Sequence, residues 1–242
     1  MTLRGMLARK LRLALTALAI VLGVTFVTGT LVLGDTLNRT FDQVIGTAYQ
    51  HISFEVRGRA EFGNAVSAAN SSDRRPVPAS LLPVIRRLPG VADAFGSVGG
   101  YAQYQARNGN AIGGGKGTTL GFSFDPNAAL SPYKLVQGHA PSGSDEVVID
   151  KATADKYDFK IGDRVLVNLP NTATDFTISG IVTFGSADNL AGITLAGFDS
   201  ATAQRLFNSI GRYDTIAILA APGSDQVRLQ QAIARTIRPD YQ

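Results

Sequence analysis

Residues 13 to 33, LALTALAIVLGVTFVTGTLVL, carry no charged side chain. As a helix rising 1.5 Å per residue, this run spans roughly 31 Å, close to the ~30 Å hydrocarbon core of a bilayer. In lipid a backbone must satisfy its own hydrogen bonds, and a helix does so within one segment. The run therefore reads as a transmembrane helix, residues 13–34. Arg4, Arg9, Lys10 and Arg12 stand just before it and Asp35 just after. Basic flanks stay on the cytoplasmic side. The tail, residues 1–12, is expected in the cytoplasm and the rest of the chain outside. A cleaved secretory signal has a shorter apolar region, about 7–15 residues, ending in a small-residue cleavage site. Val27-Thr28-Gly29 is a poor substitute for such a site.

Charge is uneven along the chain. Lys and Arg total 23 and Asp and Glu 19, and residues 1–33 hold four of the basic residues and no acid. Subtraction leaves 19 of each sign beyond the helix. The outer part is formally neutral, which argues against nucleic acid as a partner, because that requires a basic patch on the folded part. Cysteine is absent, which excludes disulfides, Cys-ligated zinc and thiol catalysis. Tryptophan is absent too, so that interfacial anchor is not used.

The tail has Leu3, Met6, Leu7 and Leu11 on one helical face, a pattern for lying on the inner membrane surface. Ala19 and Gly23 form a small-x-x-x-small pair, a contact point for a second membrane helix. Beyond Gly34 the helical periodicity runs on through Leu37, Phe41, Val44, Ile45 and Ala48. This is either a stalk continuing the membrane helix or a separate amphipathic helix. His51 to Arg57 alternates as a strand, with Ile52, Phe54 and Val56 on one face. Residues 58–80 are rich in Ala, Ser, Asn and Arg and read as a mobile loop. Leu81 to Leu88 is expected to be a helix capped by Ser80 and stopped by Pro89-Gly90. Strands follow around Val91–Gln105 and Thr118–Phe124.

Gly113-Gly114-Gly115-Lys116-Gly117-Thr118 invites a phosphate-loop reading. That motif needs Gly, four residues, then Gly-Lys-Ser/Thr. Here Gly117 follows Lys116 and Asn110 stands where the first glycine belongs, so a flexible connection is the better reading. The following region is dense in local signals. Glu146–Asp150 is a strand, and Lys151–Tyr157 a helix capped by Asp150 and ended by Asp158 in the left-handed conformation. Gly162 is expected to supply a positive φ in the turn before the strand Val165–Leu169, with Asp163 bonding backbone amides there. Asp175–Phe184 is a strand with a bulge at Gly180. Ile193–Leu195 and Tyr213–Leu219 are strands. Asp199–Phe207 and Asp225–Ile237 are helices capped by their first residues, the latter with Val227, Leu229, Ile233 and Ile237 apolar. The outer part is thus α+β.

Two regions resemble the permease subunits of MacB-like and FtsX-like ABC transporters. One is Lys10-Leu11-Arg12-x-x-Leu15-Thr16, with Ile20 and Gly23, at the entry of the membrane helix. The other is Gly138-His139-Ala140-Pro141, Glu146-Val147-Val148-Ile149-Asp150, Ala154, Gly162-Asp163 and Gly180-Ile181. The second set is similar to the periplasmic core domain of that family. Leu88-Pro89-Gly90-Val91 and the segment Asp214–Ile237 fit as well. Asp158 stands where the family often has glycine. The resemblance implies a fragment of a permease that lacks the later membrane helices. It implies a porter-like α/β lobe over 35–130 and 191–242 and an inserted β-rich lobe over 131–190. It also implies a separate cytoplasmic ATPase as partner, the lipid bilayer as surroundings, and a second permease copy or half.

Three function classes are compatible with these residues to different degrees. The first is a permease that couples ATP hydrolysis elsewhere to movement of its outer domain. The second is a single-pass, membrane-anchored binding or scaffold protein with no ATPase. The third, an anchored hydrolase, is poorly served by the sequence. His51 and His139 are the histidines, there is no G-x-S-x-G or H-E-x-x-H motif, and acid pairs such as Asp145/Glu146 and Asp155/Asp158 read as caps or turns. No catalytic residue, cofactor or metal ligand is assigned. Arg4, Arg9, Lys10 and Arg12 are expected to set topology. Gly138, Glu146, Gly162, Asp163 and Gly180 are expected to be structural.

Overall fold

A computed structural model describes residues 10, 14–32, 34, 46, 51–58, 74–113, 119–189, 192–237 and 241. The chain divides into two compact units, Met1–Ile45 and Gly46–Gln242. In the first, helix α1 (Ala14–Val32) is long and apolar enough to cross a membrane, and its residues are exposed. Lys10 is helical and exposed. Arg4, Arg9, Arg12 and nearly all of the expected stalk lie outside the described residues.

The second unit is built on two main sheets. Its strands are β1 (Phe54–Arg57), β2 (Val77–Pro78), β3 (Val91–Ser97), β4 (Gly99–Gly100), β5 (Gln103–Tyr104), β6 (Thr119–Ser123), β7 (Tyr133–Gly138), β8 (Glu146–Asp150), β9 (Arg164–Asn168), β10 (Ala173–Phe184), β11 (Thr194–Phe198), β12 (Arg212–Tyr213) and β13 (Thr215–Ala220). Its helices are α2 (Leu81–Arg86), α3 (Lys151–Tyr157), α4 (Ser200–Leu206) and α5 (Gln226–Thr236).

The smaller lobe is a three-stranded antiparallel sheet in the order β1-β13-β3, covered on one face by α2 and α5. Strand alternation sends Val56, Ala94, Ile216 and Ile218 to the helices, where they meet Ile85, Leu229 and Ile233. The periodicity of α5 is followed except at Val227, which is 63% exposed. Val227 is the second residue of the helix and projects away from the stripe that Leu229 and Ile233 bury. Ile52 also departs from expectation: it precedes β1 and turns away from the core face.

The larger lobe is an eight-stranded mixed sheet in the order β4-β6-β11-β8-β10-β9-β5, with β7 on the second edge of β10. Its central strand β8 is buried on both faces. Val147 and Ile149 join one cluster with Phe176, Ile178 and Phe198, while Val148 joins Phe122, Val182 and Leu195 on the other. The sheet curls back on itself: the hydroxyl of Tyr104, on the end strand β5, reaches the carbonyls of Val148 (3.1 Å) and Leu195 (3.4 Å) in mid-sheet.

This lobe is inserted between β3 and β13, which are neighbours in the small sheet. Its strands run from Gly99 to Phe198, so the expected limits at 131 and 190 fall inside a continuous sheet. The strong local motifs cluster in 138–181, whereas β4, β5, β6 and β11 are recruited by pairing that leaves no local mark. Two further expectations fail. Ser80 makes no side-chain cap bond and has helical φ and ψ, and the Ala79 carbonyl accepts from Leu82 N–H instead (3.2 Å). The expected mobile loop 58–80 ends early: Val77 is fully buried and pairs with Tyr213. Residues 59–73 of that loop lie outside the described residues.

The caps at Asp150, Asp199 and Asp225 form as expected, each accepting from backbone N–H groups of the first turn. Asp158 takes φ 52° and ψ 42°, the left-handed close of α3. Asp150 does more than cap. Its carboxylate accepts from Thr153 N–H (2.9 Å) and, across the sheet, from Leu195 N–H (2.9 Å). It is fully buried, and burial pushes its carboxyl above the ordinary range against those two bonds.

Replacing Asp150 by Ala strands both amides and is expected to cost about 3 kcal/mol, roughly a 10 °C fall in Tm. The raised carboxyl keeps its proton in the folded state to higher pH than in the unfolded chain. Its contribution is therefore fully present below the ordinary Asp pKa of about 3.9 and is lost as pH rises through the raised value. Asp150→Asn should flatten that part of the stability–pH curve, measured as denaturant midpoint against pH. A curve unchanged in shape would refute this assignment.

Candidate functional site

The expected structural residues come together on one feature of β10. Against β8, Ile178 pairs with Val147 and Gly180 with Val148, leaving Ser179 as an extra residue. This is the bulge expected at Gly180. Two segments bond to it: Ser179 O accepts from His139 N–H (3.0 Å), and in the other segment Ile178 O accepts from Gly162 N–H (2.8 Å) while Ile178 N–H donates to Asp163 O (2.9 Å). Gly138 lies opposite Gly180 across the β7–β10 pair with φ +76°, and a Cβ on Gly138 would overlap Ser179 O.

The acids of this region each have a hydrogen-bond or ion-pair partner. Asp163 Oδ2 accepts from Lys160 N–H (2.8 Å) and from Arg107 (2.6 Å). The Lys160 amide, then the Arg107 guanidinium, hold the Asp163 carboxyl below its ordinary range. Glu146 Oε2 accepts from Ser142 N–H (2.7 Å) and Oγ (3.1 Å), with His139 Nδ1 3.8 Å away. Asp155 is paired with Lys151 (2.8 Å) and Asp158 with Lys160 (3.5 Å). These side chains fix the loops around the bulge. Among the described residues no group of three His, Asp or Glu is placed to hold a metal ion.

The cleft between the lobes was not foreseen. The chain leaves the small lobe after Ser97 and returns at Asp214, and the crossings are stapled. Asp214 N–H donates to Ser97 O (2.8 Å), Asp214 Oδ2 accepts from Gly99 N–H (2.8 Å), and the hydroxyls of Ser97 and Thr215 lie 2.8 Å apart. This staple breaks the expected strand Tyr213–Leu219 at Asp214. Beside it opens a cavity of about 470 Å³. One wall is the helix-free face of the small sheet, in two cross-strand rows: Glu55, Ala217, Phe95 and Arg57, Thr215, Ser97. The other wall holds Leu120, Leu130 and Phe122, whose ring stacks on Tyr133 with centroids 3.7 Å apart. Asp125 and Asp214 complete the lining, and burial raises both carboxyls. No local motif marks these residues. Lys116 and residues 114–118 of the glycine-rich run lie outside the described residues.

The bulge cluster predicts an order of costs. Gly162 has φ +90° with open space around it, so Gly162→Ala carries only the backbone penalty, about 1–2 kcal/mol. Gly138→Ala adds overlap with backbone and should cost about 3 kcal/mol. Chemical denaturation of both variants measures this. Equal costs would mean that the β7–β10 contact yields freely.

Residues 13–236 match the family model described as the MacB-like periplasmic core domain. Over 95 residues, 38% of this chain, the sequence is 30% identical to an uncharacterised ABC transporter permease protein of Mycobacterium tuberculosis, and the match spans 11% of that relative's length. The periplasmic region of MacB from Actinobacillus actinomycetemcomitans matches with a TM-score of 0.58 at 12% identity, over 80% of this chain and 89% of that one. The extracellular domain of the ABC-type transporter YknZ from Gram-positive bacteria matches with a TM-score of 0.51 at 12% identity, over 78% and 97%. At such identities the two structures speak to the fold alone. The family match takes in α1, the bulge cluster and α5 in one run, and on that ground the chain belongs to the MacB-like periplasmic core domain family of ABC transporter permeases.

Proposed function

We propose that this chain is the anchor and outer domain of a permease whose two lobes are moved by ATP hydrolysis in a separate cytoplasmic subunit, for export or for handling an envelope substrate. The observation that supports the reading is the family match over residues 13–236, which covers both the apolar helix and the outer domain. The fold suits a passive, moved part. The acids at the bulge are tied up in hydrogen bonds and ion pairs, and two stapled crossings link the lobes like a hinge. In this reading the small α/β lobe is the porter-like lobe and the β-rich lobe is its insertion. A second copy or half of the permease completes the membrane part, and the bilayer surrounds α1. Gly138, Glu146, Gly162, Asp163 and Gly180 keep the inserted lobe rigid. Arg4, Arg9, Lys10 and Arg12 hold the N-terminus in the cytoplasm.

Affinity purification of the full-length gene product from its native membrane tests the coupling. A nucleotide-binding ATPase recovered in near-equal amount is expected. Its absence would favour the anchored binding or scaffold protein instead. Topology has its own test: neutral replacements at the four basic residues should raise the fraction of inverted molecules in a protease-protection assay. An unchanged fraction would refute the charge argument.

A further inference from the structure

The chain joins the two lobes at one end of β3 only. It enters the insertion after Ser97 and returns at Asp214, beside Thr215, which pairs with Ser97. Asp93 lies further back along β3, roughly 13 Å from that neck, on the face that alternation gives to Phe95 and Ser97. There a side chain of the insertion reaches it: Asn127 Nδ2 donates to Asp93 Oδ2 (3.0 Å). Both ends of this bond are held in place. Asn127 N–H donates to Asp125 Oδ1 (2.9 Å), Asn127 O accepts from Leu130 N–H (2.9 Å), and Asn127 Oδ1 accepts from Ala129 N–H (3.1 Å). With its oxygen so engaged, the amide presents its NH2 group to the carboxylate, and a flipped amide would set oxygen against oxygen. Asp93 Oδ1 accepts from Ala94 N–H (2.8 Å). Arg86 Nε, which donates to Ala94 O (2.8 Å), lies 3.5 Å from the same oxygen. The segment that carries Asn127 also forms part of the cleft wall, through Asp125, Leu130 and Ser131.

We propose that the bond from Asn127 to Asp93 is a latch between the lobes. Made, it holds the insertion against the small sheet and sets the width of the cleft. Broken, it lets the insertion turn about the neck and opens the cleft at the end away from Ser97. The neck cannot do this work, because its crossings and its staple lie together at the Ser97 end of β3. A single hydrogen bond to a carboxylate biases such an equilibrium without locking it. The inference goes beyond the permease reading and does not need an ATPase to be true.

The chain has no cysteine, so introduced cysteines take spin labels at chosen sites only. One labelled pair, Val227→Cys on α5 and Ile161→Cys in the insertion, spans the lobes at exposed positions. A second, Ile161→Cys with Ala201→Cys on α4, lies within the larger lobe and reports on its folding. Double electron–electron resonance reads both distances on the full chain in nanodiscs of zwitterionic lipid. The parent should give one narrow interlobe distance. Asp93→Asn sets amide against amide, and Asn127→Asp sets carboxylate against carboxylate. Each should raise the open fraction about tenfold, seen as an added interlobe distance, with the second pair unchanged. Asp93→Asn combined with Asn127→Asp exchanges donor and acceptor, so this double variant should return to the parent distance. Single variants that leave the interlobe distance unmoved, or a double variant as open as they are, would overturn the proposal. Should a single variant lose the second distance too, it has unfolded and the double variant decides alone: the parent distance upholds the latch, and any other overturns it. ATPase co-purification is a separate result, so failure here leaves the permease reading standing.

Discussion

A buried carboxylate with two duties sits at the middle of the larger lobe. Asp150 ends β8, caps α3 through Thr153 N–H and takes Leu195 N–H from β11. One side chain thus sets the direction in which the chain leaves the sheet and the position of the neighbouring strand. Tyr104 reaches the same place from the far end of the sheet, where its hydroxyl lies against the carbonyls of Val148 and Leu195. Burial keeps that hydroxyl protonated, so it remains a donor to those carbonyls. Around this polar core the apolar residues of β8, β10 and β11 pack on both faces, which is why a lobe with only two short helices closes a core at all.

The insertion meets the smaller lobe at a narrow junction. The insertion enters and leaves through adjacent strands, so both crossings lie side by side and can be stapled by a few bonds among Ser97, Gly99, Asp214 and Thr215. The small sheet can cover only one face with α2 and α5, and its other face is left for the cleft. The cleft therefore follows from the topology: a two-layer lobe, a large insertion, and a short neck between them.

The residues read as structural in the sequence lie together in space. Gly138, Gly162, Asp163 and Gly180 meet at the bulge of β10, with Glu146 bracing the loop that leads into β8. Gly162, Asp163 and Glu146 were visible because they also act locally, through a positive φ, the bond from Lys160 N–H and the bond from Ser142 N–H. Asp214 acts on a group 115 positions away and Ser97 on one 118 away, and nothing beside them in the chain announces it. Val77, read as part of a mobile loop, is buried because Tyr213 pairs with it, another distant partner. Ser80 shows the reverse failure: a residue type suited to capping was not used, because the Ala79 carbonyl already closes the first turn.

The sequence alone determined whatever depends on near neighbours. The charge-free run of residues 13–33, the aspartate caps of α3, α4 and α5, the left-handed stop at Asp158 and the tight turn at Gly162 are all local, with energies set by a few consecutive residues. Tertiary structure decided the limits of the insertion, the curl that brings Tyr104 to mid-sheet, and the cleft beside the crossings. Each arises from strand pairing across long stretches of chain. Such pairing is chosen by the packing of whole faces, which no short window of sequence contains.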